Sequence, residues 1–148
     1  VIVNVSSIAG RVAPPYSGAY AASKHALEAL TESLHFEVSH LGIRVHLIEP
    51  GRFPTNFSDN IVFPPTWEGS PHEDRALIFR DSLTSLDGDG TPADPQFVAD
   101  AIVRAATDPS TPFRTLVGGD AELIDATKTS MSFEDFETTM RTALDWHD

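Results

Sequence analysis

Hydrophobic residues along this chain follow two different periods, and their order predicts a strand–helix–strand unit. Residues 1–5, Val-Ile-Val-Asn-Val, form a short β-branched run typical of a strand covered on both faces in a parallel sheet. From about Gly18 to His40, apolar residues recur every three or four positions, which predicts a long amphipathic helix ended by Gly42. Its apolar stripe comprises Leu27, Leu30, Leu34, Val38 and Leu41. Residues 43–48 form a second apolar run, so we expect a right-handed βαβ unit.

The pattern becomes less regular after Thr55, where large apolar residues occur without a clear period. Residues 56–71 contain Phe57, Phe63 and Trp67, which is unusual for a loop exposed only to solvent. Three interpretations stay open for these side chains: a substrate lid, a contact between subunits, or simple packing. Residues 56–92 are therefore predicted to be a substrate-loop or lid region within the same domain.

The remaining elements are predicted from end signals and apolar spacing. We expect a helix over about 71–86, and another that begins at Asp94-Pro95 and continues to about Thr107. Residues 114–117 read as a third strand, which Gly118-Gly119 ends. A last helix is predicted after Ser132, because Ser132 and Asp135 resemble a capping box with Asp in place of Glu or Gln.

Composition narrows the functional classes. The 148 residues are about one domain long and contain no cysteine, so thiolate catalysis and cysteine-ligated metals are excluded. The net charge of -12 arises after residue 54, because residues 1–54 hold four basic and four acidic side chains. An acidic chain disfavours nucleic acid and anionic membranes as partners. No apolar run approaches the roughly 20 residues of a membrane span, so a cytoplasmic location is expected. Because the sequence begins inside a predicted core strand, we also expect a longer natural chain.

The stretch from Tyr20 to Lys24 carries the first candidate chemistry. The two residues are four apart at the start of the predicted helix, so their side chains share one face. A phenol ordinarily ionises near pH ~10, and a nearby ammonium group favours the phenolate anion. Alone, a Tyr-x-x-x-Lys pair is a weak signal, since an amphipathic tyrosine beside a solvated lysine is common.

Two further features accompany this pair in a fixed order. Ser6-Ser7 follows the first strand, and Ile48-Glu49-Pro50-Gly51 with Thr55 follows the second. The three features together resemble the catalytic half of the short-chain dehydrogenase/reductase family, in its shorter, non-extended branch. Ser7 stands thirteen residues before Tyr20, as in that branch, whereas Ser6 does not have that spacing. The resemblance is strong over residues 1–55 and weaker beyond. It implies an α/β, Rossmann-like, doubly wound parallel sheet that is incomplete here, with the N-terminal half of the fold absent.

The resemblance also implies a reaction and a role for each site residue. The family interconverts alcohols with ketones or aldehydes by hydride transfer, with NAD or NADP as cofactor. Tyr20 is expected to act as acid/base, Ser7 to hold the substrate oxygen, and Lys24 to stabilise the tyrosine anion and bind the nicotinamide ribose. The expected contacts to the nicotinamide come from Tyr20 and Lys24 and from Pro50, Gly51, Phe53 and Thr55. Small alcohol or carbonyl substrates and a homodimer or tetramer are implied in the same way.

Rival sites have weaker support in the sequence. A Ser-His-Asp hydrolase would need a Gly-x-Ser-x-Gly elbow, which Ser6-Ser7 lacks. The six histidines show no His-x-x-x-His spacing, so we predict no metal site. Ser23 is expected to have a structural role, either in packing or through a hydrogen bond back to the helix backbone.

Segments that the family uses to bind the dinucleotide are absent from this chain. They are the glycine-rich phosphate loop, the Asn-Asn-Ala-Gly segment and the upstream catalytic asparagine. Asn4 does not replace that asparagine, because it lies in the strand that leads to Ser7. Two functions therefore stay open. The chain is either the C-terminal catalytic portion, residues 1–148, of one NAD(P)-dependent oxidoreductase domain, or a non-catalytic fragment that serves as a structural or scaffold subunit.

Overall fold

The computed structural model describes residues 1–62, 66–87 and 93–146. The described part contains one parallel sheet with strands β1 (Ile2–Val5), β2 (Val45–Pro50) and β3 (Arg114–Val117), in the order β1-β2-β3. Its helices are α1 (Gly18–Val38), α2 (Glu73–Ser82), α3 (Gln96–Thr107), α4 (Gly119–Ser130) and α5 (Phe133–Ala143). The predicted α/β class with a parallel sheet is therefore confirmed.

Helices cover both faces of the sheet because alternate residues of each strand point to opposite sides. On one face, Ile48 of β2 and Val117 of β3 pack with Ala101 and Ala105 of α3. On the other face, Asn4 of β1 donates a hydrogen bond from Nδ2 to Thr31 Oγ1 of α1 at 2.9 Å. This arrangement is the double winding expected of a Rossmann-like sheet.

All three strands end at the same edge of the sheet. The register pairs Val5 with Ile48 and Pro50 with Val117, so the segments that follow the strands lie side by side. These segments begin at Ser6, Gly51 and Gly118. In open parallel sheets this carboxyl edge forms the ligand crevice. The fold therefore brings the serine pair and the Pro50-Gly51 turn to one place.

Helix α1 forms as predicted, but its buried face coincides only partly with the predicted apolar stripe. It ends near Gly42, which adopts a left-handed conformation with φ of 74°. Its buried residues are Ala21, Glu28 and Thr31, whereas Leu27, Leu34 and Val38 of the stripe are half-buried and Leu30 is 69% exposed. Glu28 and Thr31 each have a hydrogen-bond partner on the sheet. Thr31 also donates to the Leu27 carbonyl at 2.7 Å.

The other predicted elements are present with shifted ends. Strand β2 begins and ends two residues later than the predicted 43–48, and helix α2 is shorter than 71–86 because Leu83–Asp87 forms a 3-10 turn. Ser132 caps α5 by accepting the Asp135 N–H at 3.2 Å, as its position predicts. Helix α4 is not predicted by the sequence, because its N-cap is Gly118, which has no side-chain cap, and its first residue is Gly119.

Candidate active site

The Ser7 hydroxyl lies at the end of β1 and joins it to the end of β2. Ser7 is buried and adopts an extended backbone conformation just before a 3-10 turn, Ile8–Gly10. Its Oγ accepts the Ala9 N–H at 3.1 Å and donates to the Pro50 carbonyl at 3.4 Å. The longer bond is at the limit of hydrogen-bond geometry, so this hydroxyl can exchange it for another acceptor at little cost.

Tyr20 and Lys24 share one face of α1, as their spacing requires. Lys24 Nζ lies 5.7 Å from the centroid of the Tyr20 ring and donates to the Val5 carbonyl at 3.0 Å. Burial lowers the pKa of the Lys24 ammonium, and the nearby Glu28 carboxylate opposes part of that effect. Ser23 donates to the Tyr20 carbonyl at 2.7 Å, which is the predicted bond back to the helix. Lys24 thus links the tyrosine to the strand that leads to Ser7.

The turn after β2 is held by a residue from a distant part of the chain. Gly51 N donates to the Val117 carbonyl at 2.9 Å, and Arg52 N donates to Asp120 Oδ2 at 2.7 Å. A Cβ at position 51 would lie only 2.1 Å from Asp120 Oδ1. Glycine is therefore required here by the close approach of Asp120, not by a left-handed backbone.

The other predicted cofactor contacts occupy different environments. Phe53 packs against the core cluster that includes Ile48 and Val117. Thr55 is exposed, and its Oγ1 accepts the Phe57 N–H at 3.3 Å. The Phe57 ring lies 5.4 Å from the Tyr20 ring, so an apolar side chain of the predicted lid faces the tyrosine. Phe63 lies outside the described residues.

The structure places all the predicted site residues on the carboxyl edge or next to it, but not all of them touch. Ser7 contacts Pro50, and Lys24 contacts both Tyr20 and β1. In the described part of the chain, the Ser7 and Tyr20 hydroxyls are not hydrogen-bonded to each other.

A buried charge cluster lies on the α1 side of the sheet, beginning at the residue before Pro50. Glu49 is fully buried, and its Oε1 lies 3.4 Å from Arg11 Nη1 and 3.6 Å from Arg114 Nε. The same Arg114 Nε lies 3.3 Å from Glu28 Oε2. Burial, together with the Glu28 charge, raises the pKa of Glu49 to about 7, although Arg11 opposes the rise. Near neutral pH the Glu49 carboxyl is therefore partly protonated.

Sequence reasoning missed Asp120 and this carboxyl cluster. Asp120 belongs to the unpredicted helix α4, 69 residues beyond Gly51, and no local pattern connects the two. Glu28 could have been noticed, because it lies one helical turn beyond Lys24.

No helix in the described ranges is long and apolar enough to cross a membrane. Among the residues that the structure describes, no group of three or more His, Asp or Glu side chains could hold a metal ion.

Comparison with known sequences places the first part of the chain in a family. The family described as short chain dehydrogenase matches residues 1–63. The uncharacterized oxidoreductase YbbO of Escherichia coli K12 is 53% identical over 82 residues, which are 55% of this chain and 30% of that protein. The 3-ketodihydrosphingosine reductase of Bacteroides thetaiotaomicron is 37% identical over 118 residues, covering 79% of this chain and 43% of that protein. The chain thus spans less than half the length of these relatives.

Solved structures share the fold of this chain over about half of their own length. A short chain dehydrogenase from Burkholderia cenocepacia in complex with NADP has a TM-score of 0.63 at 22% identity, covering 97% of this chain and 46% of its own. A 4-hydroxyisoleucine dehydrogenase complexed with NADH has a TM-score of 0.58 at 27% identity, covering 80% and 45%. The solved structures share the fold, and the sequence matches, together with the strand-end serine and the Tyr20–Lys24 turn, show that the chain belongs to the short-chain dehydrogenase/reductase family.

Proposed function

We propose that this chain is the C-terminal catalytic portion of an oxidoreductase that interconverts an alcohol with a ketone or aldehyde, using NAD or NADP. The observation that carries the proposal is the position of Lys24. Its ammonium group lies 5.7 Å from the Tyr20 ring and hydrogen-bonds the carbonyl of Val5, two residues before Ser7. Both residues lie in the segment that matches the family, and two solved relatives carry NADP or NADH.

Tyr20 is the proposed acid/base. In carbonyl reduction, negative charge develops on the substrate oxygen, and the Tyr20 hydroxyl donates its proton to that oxygen. Alcohol oxidation reverses this step, so Tyr20 then accepts the hydroxyl proton. The Lys24 ammonium stabilises the phenolate that remains after proton donation.

Ser7 is proposed to hold the same oxygen in place. Its Oγ already donates a long bond of 3.4 Å to the Pro50 carbonyl. A substrate oxygen that carries developing charge is a stronger acceptor than a peptide carbonyl, so it would replace Pro50 as the partner of the Ser7 proton. A positioned donor of this kind stabilises the transition state more than the ground state.

The residues at the carboxyl edge fit a nicotinamide nucleotide. The nicotinamide supplies the hydride acceptor and donor when bound. Lys24 has three ammonium protons and gives one to Val5, which leaves donors for ribose hydroxyls. The Pro50-Gly51 turn offers backbone without bulky side chains, and Phe53 and the exposed Thr55 follow it within the same segment.

The described start of the predicted lid region, residues 56–62, is proposed to form one wall of the substrate region. Phe57 supports this role, because its ring is 5.4 Å from the Tyr20 ring while its side chain is largely exposed. An apolar surface at this point would suit the carbon skeleton of a small alcohol or carbonyl compound. A homo-oligomeric state and a cytoplasmic location remain predictions from the sequence.

Tyr20→Phe tests the reaction directly. In the longest natural polypeptide that contains this sequence, nicotinamide absorbance is followed with a panel of alcohols and ketones and with both cofactors. Loss of the acid/base should lower kcat by about 10²–10⁴-fold. Tyr16→Phe is the matched control, because Tyr16 is the second tyrosine of the 148 residues. Its ring belongs to a separate aromatic cluster with Phe79 and Trp146. Equal activity of wild type and Tyr20→Phe would overturn the proposal.

A non-catalytic role as a structural or scaffold subunit is the second candidate that the sequence leaves open. A scaffold subunit would unfold cooperatively and bind no nicotinamide nucleotide. Calorimetric titration of NADH and NADPH therefore separates the two functions, because only the oxidoreductase binds one of them.

A further inference from the structure

Two glutamates are buried together beneath the carboxyl edge, and each lacks one expected hydrogen bond. Glu28 of α1 is 7% exposed and Glu49 of β2 is fully buried. Both approach the same nitrogen, Arg114 Nε, at 3.3 Å and 3.6 Å. In the described part of the chain, Glu28 Oε1 and Glu49 Oε2 have no donor from any other group. Buried carboxylate oxygens without donors are strongly disfavoured.

A single proton between the two carboxyls would satisfy both oxygens. We propose that Glu28 and Glu49 form a buried carboxyl pair that shares one proton between these two oxygens. We further propose that the pair positions the Tyr20–Lys24 turn of α1 against the Pro50-Gly51 turn after β2. Two carboxylates that occupy one site cannot both ionise without a large penalty, so one of them keeps its proton.

The location of the pair connects the parts of the candidate site. Glu28 follows Lys24 by four residues and Tyr20 by eight, so all three lie along one face of α1. Glu49 directly precedes Pro50, whose carbonyl accepts the Ser7 hydroxyl. A bond between Glu28 and Glu49 therefore fixes the helix that carries the acid/base relative to the strand end that would face the cofactor. This positioning role, unlike the pair itself, rests on the proposed function.

The side chains of Glu28 and Ser6 both lie close to Gly10. A Cβ at Gly10 would lie 2.9 Å from Glu28 Cγ and 2.8 Å from the buried Ser6 Oγ. A side chain at position 10 would therefore displace Glu28 or Ser6.

The charges that face the pair come from α1, β3, α4 and the segment that follows the 3-10 turn Ile8–Gly10. The positive groups are Arg11, Lys24 and Arg114, and the other negative groups are Glu32 and Asp125. Four carboxyl groups therefore surround two arginines, and retention of one proton reduces this imbalance.

The shared proton is tested without any assay of activity. The infrared C=O stretch of a protonated carboxyl is recorded near pH 6 in wild type, Glu28→Gln and Glu49→Gln. We expect the band in wild type and its loss in both variants, because the remaining carboxylate then accepts from the new amide. Glu32→Gln is the matched control: it makes the same charge change, and Glu32 Oε2 contacts the same arginine at 2.5 Å, but its side chain is 49% exposed. A band that persists in Glu49→Gln, or is absent from wild type, would overturn the pair.

Unfolding at different pH values gives a second readout. The pKa of Glu49 is about 7 in the folded protein, against an ordinary 4.5. Between pH 4.5 and about pH 7 the folded state binds more protons than the unfolded state. The free energy of unfolding therefore falls as pH rises through this range. The unfolding equilibrium constant should increase by up to about tenfold per pH unit in this window. Glu49→Gln should lose this contribution and Glu32→Gln should keep it; identical pH profiles in the two variants would count against the pair.

The positioning role is tested by measuring kcat/KM of the active protein, once with NADH and once with NADPH. Glu49→Gln keeps an N–H donor toward Glu28, whereas Glu49→Ala and Gly10→Ala break or displace the contact. We expect kcat/KM to fall about tenfold or more in Glu49→Ala and Gly10→Ala and to be largely retained in Glu49→Gln. Equal losses in Glu49→Gln and Glu49→Ala would refute positioning. If even wild type is inactive, the proposed function fails, while the infrared result still decides on the pair.

Discussion

Replacement of Gly51 by alanine is the sharpest test of how the turn after β2, a proposed cofactor contact, is built. The added Cβ would lie 2.1 Å from Asp120 Oδ1 and 2.4 Å from Asp120 Oδ2. Both distances are far below any allowed contact, so the buried Asp120 carboxylate must move. Its movement removes the 2.7 Å bond that Oδ2 accepts from Arg52 N. Gly51→Ala therefore displaces the Asp120 side chain and breaks the bond that holds Arg52 N.

The expected cost follows from these two effects. Overpacking of a filled site costs about 1–3 kcal/mol, and loss of a buried hydrogen bond to a carboxylate costs a similar amount. We expect Gly51→Ala to lower the free energy of unfolding by about 2–4 kcal/mol, measured by urea denaturation. Gly119→Ala is the control, because no atom lies within 4 Å of its Cβ position. That variant should be neutral or slightly stabilising.

A double-mutant cycle identifies the cause. In an Asp120→Ala background the space near position 51 is free, so the Gly51→Ala step should cost less than about 1 kcal/mol. The reasoning is refuted if Gly51→Ala costs the same in both backgrounds, or if it is as mild as Gly119→Ala.

The remaining predictions concern a helix cap and the buried charges. Asp94→Ala should lower the free energy of unfolding by about 1 kcal/mol, because Asp94 Oδ1 accepts the Gln96 N–H at 2.8 Å at the start of α3; an unchanged denaturation midpoint would contradict this. Arg114→Met should cost about 3–5 kcal/mol, since it leaves Glu28 and Glu49 buried without their shared cation. Burial raises the pKa of Glu49 to about 7, so this loss should be larger at pH 8 than at pH 5, and equal losses would show that Glu49 does not titrate in this range.

The βαβ unit could be predicted because its signals are local. A run of β-branched residues, a three- and four-residue apolar spacing and a glycine at position 42 each act within one or two turns of chain. The same locality explains the candidate site. Tyr20 and Lys24 share a face because of the helical period, and parallel strands bring Ser7 and Gly51 to one edge.

The buried face of α1 could not be predicted in this way. The leucine spacing marks an apolar stripe, yet Leu30 is exposed while Glu28 and Thr31 are buried. Which face packs depends on the partners that the sheet offers, and here Asn4 and Arg114 supply hydrogen bonds to polar residues of the helix. A periodic pattern carries no information about such distant partners.

The sequence by itself determined the order of the elements apart from α4, the family resemblance and the candidate residues Ser7, Tyr20 and Lys24. Only the tertiary structure decided that Asp120 approaches Gly51 and that Glu28 and Glu49 approach the same arginine. The physical reason is range. Helical period and strand direction act between neighbours in the chain, whereas the burial and pairing of charges depend on groups that folding brings together from 21 to 114 residues apart.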